Sequence, residues 1–233
     1  MLTDIDGIIF DMDGTLIDSM WVWPGLDDRY MEKYGLRQPE GFHEIIEGMS
    51  CEEVADYFLE SFPNLTCSRE EMIEEWIDMA YEAYTTQVTL KKGVLNFIRK
   101  MKKAGKKIGI ATSNAKSLVD DTLRALQVSH LFDVVRTAGE VQAGKPAPDV
   151  YLLVARELGI RPDRCLVFED VPMGILAGKN AGMRVCAVAD DFSLLQLEKK
   201  KELADYFIQD FRDIEQETYE ILTENLPDGR KYR

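Results

Sequence analysis

From residue 93 onward the chain alternates short apolar runs with helical patterns: Ile108-Gly109-Ile110-Ala111, Val134-Val135, Cys165-Leu166-Val167-Phe168 and Val185-Cys186-Ala187-Val188, with Tyr206-Phe207-Ile208 as a candidate last strand. Runs without polar interruption suit strands buried on both faces of a parallel sheet. Ile8-Ile9-Phe10 has the same character, yet no comparable run follows until residue 108. The pattern predicts an α/β fold, a Rossmann-like doubly wound parallel sheet, with an insertion behind its first strand.

The insertion carries helical signals. Ser50-Cys51-Glu52-Glu53 and Ser68-Arg69-Glu70-Glu71 fit capping boxes, and Leu26, Tyr30 and Tyr34 share one helix face before Gly35 stops it. The expected organisation is a catalytic core of residues 1–17 and 91–233 and an all-helical cap of residues 18–90. The two connections, near Asp18 and near Leu90-Lys91-Lys92-Gly93, would form a hinge able to open and close the cap.

The 233 residues, 45% hydrophobic, suffice for a real core, and no apolar run approaches membrane-spanning length. The N-terminus shows no basic segment ahead of an apolar one, so a cytoplasmic location is expected. Four scattered cysteines and two histidines argue against zinc and for free thiols. A net charge of −14 disfavours nucleic acid and anionic membranes, so a phosphorylated substrate would need a local cationic pocket. The basic run Arg99 to Lys107 reads as the wet side of a helix.

The chemistry concentrates at strand ends, where open parallel sheets bind ligands. Asp11 and Asp13 follow the first strand, spaced so that both carboxylates can point to one face, with Gly14 free to turn the chain behind them. A calcium loop starting at Asp11 would need glycine where Leu16 stands and glutamate where Val22 stands. A solvated turn remains open on those residues alone. Thr112-Ser113-Asn114 ends the second run with a hydroxyl, an amide and backbone N–H groups suited to a phosphate oxygen. Lys145 sits in Gly144-Lys145-Pro146-Ala147-Pro148-Asp149, and Glu169-Asp170 ends the fourth run. Two acidic pairs without nearby histidine or cysteine suit a hard cation such as Mg²⁺. Behind the second pair, the small residues Gly174, Ala177, Gly178 and Ala181 let a helix pack close to the sheet. Residues 139–145 also imitate a P-loop, but Pro146 stands where the metal-binding hydroxyl belongs. A phospho-accepting receiver domain shares the acid, hydroxyl and lysine set, yet is about half this length and has no helical insertion.

In order, Phe10-Asp11-Met12-Asp13-Gly14-Thr15-Leu16, Thr112, the Lys145 segment and Phe168-Glu169-Asp170-Val171-Pro172-Met173-Gly174 resemble the four motifs of the haloacid dehalogenase-like hydrolases. The similarity is to the group with a helical cap inserted after the first motif, which includes phosphoglycolate phosphatases and β-phosphoglucomutases. It implies that Asp11 is the nucleophile forming a phosphoaspartyl enzyme and Asp13 the general acid and base. It implies Mg²⁺ held by Asp11, Asp170, the Asp13 carbonyl and Glu169, the last directly or through water. Thr112 and Lys145 would balance the phosphoryl oxygens, with Ser113 contributing its backbone N–H; from the strand-end triplet, Asn114 joins Ser113 as a candidate substrate contact.

The leaving group is less legible. Met20, Trp21, Trp23, Tyr30 and Tyr34 could stack on a sugar or base, with Trp21 and Trp23 as the candidate substrate contacts, although aromatic residues in small helical domains mostly form core. A mutase must hold a second phosphate with cations. From Gln38 to Ser68 the chain has no Lys or Arg and only His43, and Glu47-Gly48-Met49-Ser50-Cys51, where mutases would place gripping basic residues, offers none. Arg29 and Lys33 alternate with Asp27, Asp28 and Glu32 as on a solvated face. The expectation is a monomeric, Mg²⁺-dependent phosphatase acting on a small phosphomonoester with a neutral or aromatic leaving group, with a β-phosphoglucomutase-like mutase as the alternative.

Overall fold

Ile8 and Phe10 join one buried apolar cluster while Ile9 joins a second, and Leu166 and Phe168 are divided in the same way from Cys165 and Val167. That period-two alternation, with both faces buried, is why these runs are continuous in apolar residues. The protein, described here as a computed structural model over residues 1–222, leaves the expected core segment 223–233 outside the described residues.

In chain order, β1 (Gly7–Phe10) leads to β2 (Ile17–Asp18), then to α1 (Val22–Lys33), α2 (Phe42–Ile46), α3 (Cys51–Ser61), α4 (Arg69–Thr86) and β3 (Thr89–Leu90). Helices and strands then alternate: α5 (Val94–Lys103), β4 (Lys107–Thr112), α6 (Lys116–Ala125), β5 (Val134–Thr137), α7 (Asp149–Leu158) and β6 (Cys165–Glu169). The remainder is α8 (Pro172–Asn180), β7 (Arg184–Val188), α9 (Leu197–Leu203), β8 (Tyr206–Ile208), α10 (Arg212–Gln216) and β9 (Glu220–Ile221). The seven-stranded sheet has the order β5-β4-β1-β6-β7-β8-β9 and is parallel except at β9. The chain runs outward through β4 and β5, then returns to β6 on the other side of β1. Ligands gather at that reversal, outside the carboxyl ends of the strands.

Phe10, Phe97, Phe168 and Phe211 cluster on one face, with Phe10 stacked on Phe168 at 5.3 Å. On the other face, Gly109 and Gly178 allow helices to approach, since a Cβ would lie 2.5 Å from Val154 and 2.8 Å from Val185. α5 buries Val94, Phe97, Ile98 and Met101 and leaves Arg99, Lys100 and Lys103 exposed, so the basic run is a helix's wet side as far as Lys103, while Lys106 and Lys107 lie beyond the helix.

Between β2 and β3 the chain is helical, and both expected capping boxes form, at Ser50 with Glu53 and at Ser68 with Glu71. Tyr30, Phe58 and Trp76 pack edge to face as its core. β2 and β3 pair antiparallel as a two-residue ribbon carrying both connections, too short to be stiff alone. The sequence pattern predicts neither α2, five residues behind the left-handed Gly41, nor β9. Among the described residues no helix is long and apolar enough to cross a membrane.

Candidate active site

β1 ends at Phe10, which makes Asp11 the first side chain beyond the sheet, with Asp13 on the same loop. Gly14 turns the chain at φ +77°, and a Cβ there would lie 2.2 Å from Asp170 Oδ2, so only glycine fits. β6 delivers Glu169 as its last residue and Asp170 directly after it, while the loop ahead of α7 delivers Lys145. The Lys145 amine lies 2.5 Å from Asp11 Oδ1 and 2.5 Å from Glu169 Oε1, and these three side chains and that of Asp170 are buried.

Glu169 is fully engaged. Its Oε1 also accepts from the Tyr151 hydroxyl at 2.7 Å, and its Oε2 from the backbone N–H groups of Asp170 and Val171 at 3.0 and 3.4 Å. Gly174 leaves room for that carboxylate, since a Cβ there would fall 1.8 Å from Oε1. Of the two glycines of α8, Gly178 therefore serves close helix packing and Gly174 leaves room for Glu169.

Asp11, Glu169 and Asp170 offer oxygens within 4.8 Å of one another. Asp170 Oδ1 accepts from Thr15 Oγ1 at 3.0 Å, whereas Oδ2 is buried with no partner among the described residues. A buried carboxylate oxygen left so is costly unless a cation meets it. Burial, with the charges of Glu169 and Asp11, holds the Asp170 carboxyl well above the carboxylate range. Burial also pushes Asp11 up to about 8, Lys145 opposing and Glu169 reinforcing. Burial pulls on the Lys145 amine in the opposite sense, but the adjoining carboxylates prevail and keep it protonated above the usual lysine range. Three carboxylates facing one ammonium leave an excess of negative charge. An all-oxygen set with an orphaned carboxylate atom fits a hard divalent cation. Asp170 has the free oxygen and Asp11 stands beside it, while the committed oxygens of Glu169 leave it reach through water.

The Asp13 carboxylate turns elsewhere. It accepts from Ser19 Oγ at 2.6 Å, from Asn114 Nδ2 at 3.0 Å and from the Tyr84 hydroxyl, which leaves its backbone carbonyl as the group it can offer a cation. Asn114 Nδ2 also meets Tyr84 at 3.3 Å, and Asn114 borders the cavity beneath the helical insert. Thr112, at the end of β4, is buried, and its Oγ1 accepts from the Asn114 N–H at 3.2 Å. Ser113 faces the insert instead: its hydroxyl donates to the Gly48 carbonyl at 3.1 Å, and its own carbonyl accepts from Cys51 Sγ at 3.6 Å.

The helical insert is closed over this centre. Glu47 accepts from the Met173 N–H at 3.3 Å and from Gln196 at 2.6 Å, and Glu53, besides capping α3, accepts from the Gly144 N–H at 3.0 Å. Beneath it lies a cavity of about 500 Å³, bordered by Asp11, Asp13, Thr112, Ser113, Lys145 and Asp170 on the core side. Met20, Trp23, Leu26, Val54, Phe58 and Trp76 border it on the other.

The two candidate tryptophans part company. Trp23 borders the cavity and packs edge to face on Tyr84. Trp21 caps α1, is 42% exposed and donates its indole N–H to the Asp18 carbonyl, away from the cavity. Tyr30 belongs to the core of the insert, and Tyr34 packs against it and donates to Glu75. Sequence reasoning missed Tyr84, Tyr151 and Ser19. Tyr84 continues the buried stripe Met72, Trp76 and Ala80 of α4, and the one available signal was a hydroxyl in an apolar stripe, which needs a partner.

Residues 8–188 match the family described as haloacid dehalogenase-like hydrolase. The chain is 30% identical over 179 residues to a phosphorylated carbohydrates phosphatase of Thermotoga maritima, covering 77% of this chain and 82% of that one. It is 31% identical over 198 residues to a probable pseudouridine-5′-phosphatase of Drosophila melanogaster, covering 82% and 84%. In fold it is similar to CbbY from Rhodobacter sphaeroides, solved in complex with phosphate, with a TM-score of 0.79, 24% identity, and coverage of 90% and 96%. The matched span takes in all four acidic, hydroxyl and lysine segments gathered at the strand ends, and the chain belongs to the haloacid dehalogenase-like hydrolases.

Proposed function

We propose that the protein is a Mg²⁺-dependent phosphatase that hydrolyses a small phosphomonoester through a phosphoaspartyl intermediate. Asp11 attacks phosphorus, the bond to the leaving oxygen breaks, and Asp13 gives that oxygen its proton. Asp13 then takes a proton from the water that attacks the same phosphorus, which releases phosphate and restores Asp11. Tyr84, Ser19 and Asn114 hold Asp13 toward the leaving group. Lys145, steadied by Glu169, and Thr112 balance the equatorial oxygens. Mg²⁺, when bound by Asp11, Asp170 and the Asp13 carbonyl, supplies positive charge to the phosphoryl oxygens. The insert, residues 18–90, acts as a cap that excludes bulk water.

One observation favours hydrolysis over a mutase reaction. Among the described residues bordering the cavity, Lys145 is the only Lys or Arg, and His43 the only histidine. Arg29 donates to the Gly25 carbonyl of its own helix and Lys33 pairs with Glu75, neither at the cavity. A bisphosphate held for reorientation needs cations at both ends, and this site has them at one. The phosphatase names of the two relatives support the same reading.

The test supplies β-glucose 1-phosphate, glucose 1,6-bisphosphate and Mg²⁺, and follows glucose 6-phosphate beside free phosphate. Phosphate release from monophosphates without isomerisation is expected. Rapid isomerisation with little free phosphate would replace the phosphatase by the mutase.

A further inference from the structure

The cap side of the cavity is mostly apolar and carries three carboxylates: Glu44 is exposed, Glu47 accepts from Met173 and Gln196, and Asp27 is the half-buried one without a hydrogen bond among the described residues. Asp27 lies on α1 one helical turn beyond Trp23, on the same face, and both border the cavity with Leu26 between them. Its side chain is 15% exposed, and among the described residues it accepts no hydrogen bond. Its Oδ2 lies 3.9 Å from Nδ1 of His43, a ring that is itself largely exposed. Burial, then the charge of Asp28, pushes Asp27 up to about 7. A carboxylate is costly to keep in such surroundings, and the folded chain does not itself repay it.

The rest of the cap wall bears on what would. Trp23 packs on Tyr84, which holds Asp13, and stands one helical turn from Asp27, so apolar side chains lie between the general acid and that carboxylate. Phe58, Trp76, Val54 and Met20 widen that apolar wall. An open-chain polyol would set its hydroxyls against these side chains without partners. A flat ring buries its faces there and brings edge N–H or O–H donors to the carboxylate.

We propose that Asp27 determines specificity, accepting hydrogen bonds from ring-edge donors of a nucleoside-type leaving group stacked along Trp23. This rests on the phosphatase reading and names the substrate class for that same site. Asp27 touches no reacting atom, so its effect falls on substrate affinity rather than on the chemical step.

The experiment measures phosphate release by the full chain with Mg²⁺ from the common nucleoside 5′-monophosphates, sorbitol 6-phosphate and p-nitrophenyl phosphate. Wild type should prefer at least one nucleoside monophosphate by kcat/KM. In Asp27→Leu, its kcat/KM relative to p-nitrophenyl phosphate should fall by about tenfold or more, mostly through KM, because a donor facing an apolar replacement goes unpaired. Asp27→Asn, which keeps the shape and one acceptor oxygen, should lose less, and it carries the test if the leucine variant misfolds. A wild type preferring sorbitol 6-phosphate, or variants with an unchanged substrate ratio, overturns the assignment of Asp27 and leaves the phosphatase standing. No phosphate from any of these compounds overturns both.

Discussion

The hydroxyl of Tyr84, on the last helix of the cap, donates to the carboxylate of Asp13, on the loop that ends the first strand of the core. One hydrogen bond thus joins the cap to the residue assigned proton transfer. Asn114 braces the same pair from the core. Tyr84→Phe keeps the ring packed on Trp23 and removes the bond. With Ser19 and Asn114 still in place, kcat should fall about tenfold, on the order of the net worth of one buried hydrogen bond. Steady-state kinetics with folding checked by circular dichroism measures it; an unchanged kcat would make Tyr84 a packing residue only.

Trp23 and Trp21 give a paired prediction. Trp23→Ala opens the cavity wall and should raise KM about tenfold while leaving the Mg²⁺ concentration for half-activation in place. Trp21→Ala, at an exposed cap position, should change KM by no more than about twofold. Equal effects of the two changes would contradict the placement of the substrate along Trp23.

The strand-end chemistry was legible because motif residues at the ends of apolar runs converge whatever the details of packing: Asp11, Asp13, Thr112, Lys145, Glu169 and Asp170 all border one site. The tryptophans were less so. Two positions two residues apart at a helix start point to nearly opposite sides, so Trp21 and Trp23 could not both face one cavity. Nor could the sequence separate Gly174 from Gly178, since small residues at helical spacing all read as packing until Glu169 is seen against one of them. Tyr84 and Tyr151 stayed hidden because their value lies in a hydroxyl whose partner, Asp13 or Glu169, comes from a distant segment.

The raised Asp27 carboxyl predicts a pH dependence of stability. Its pKa rises from 3.8 to about 7 on folding, through burial and then the charge of Asp28 on the same helix, with His43 and Glu44 of α2 and Glu47 also bordering that cavity. Between those values the native state holds a proton that the unfolded state has lost, so stability falls as pH rises through the window. Thermal unfolding of wild type and Asp27→Asn should show wild type losing stability relative to the variant from about pH 4 to about pH 7. A constant difference, or one of opposite sign, would contradict the burial of an ionisable Asp27.

The central claim is that Asp11 is the nucleophile of a phosphatase. Asp11→Asn preserves the shape of a buried side chain beside Lys145 but removes its nucleophilic oxygen. The measurement is Mg²⁺-dependent phosphate release from the best substrate of the panel, with the fold checked by circular dichroism. We predict a loss of at least ~10³-fold with the spectrum unchanged, whereas a folded variant retaining activity within about tenfold of wild type would contradict the account.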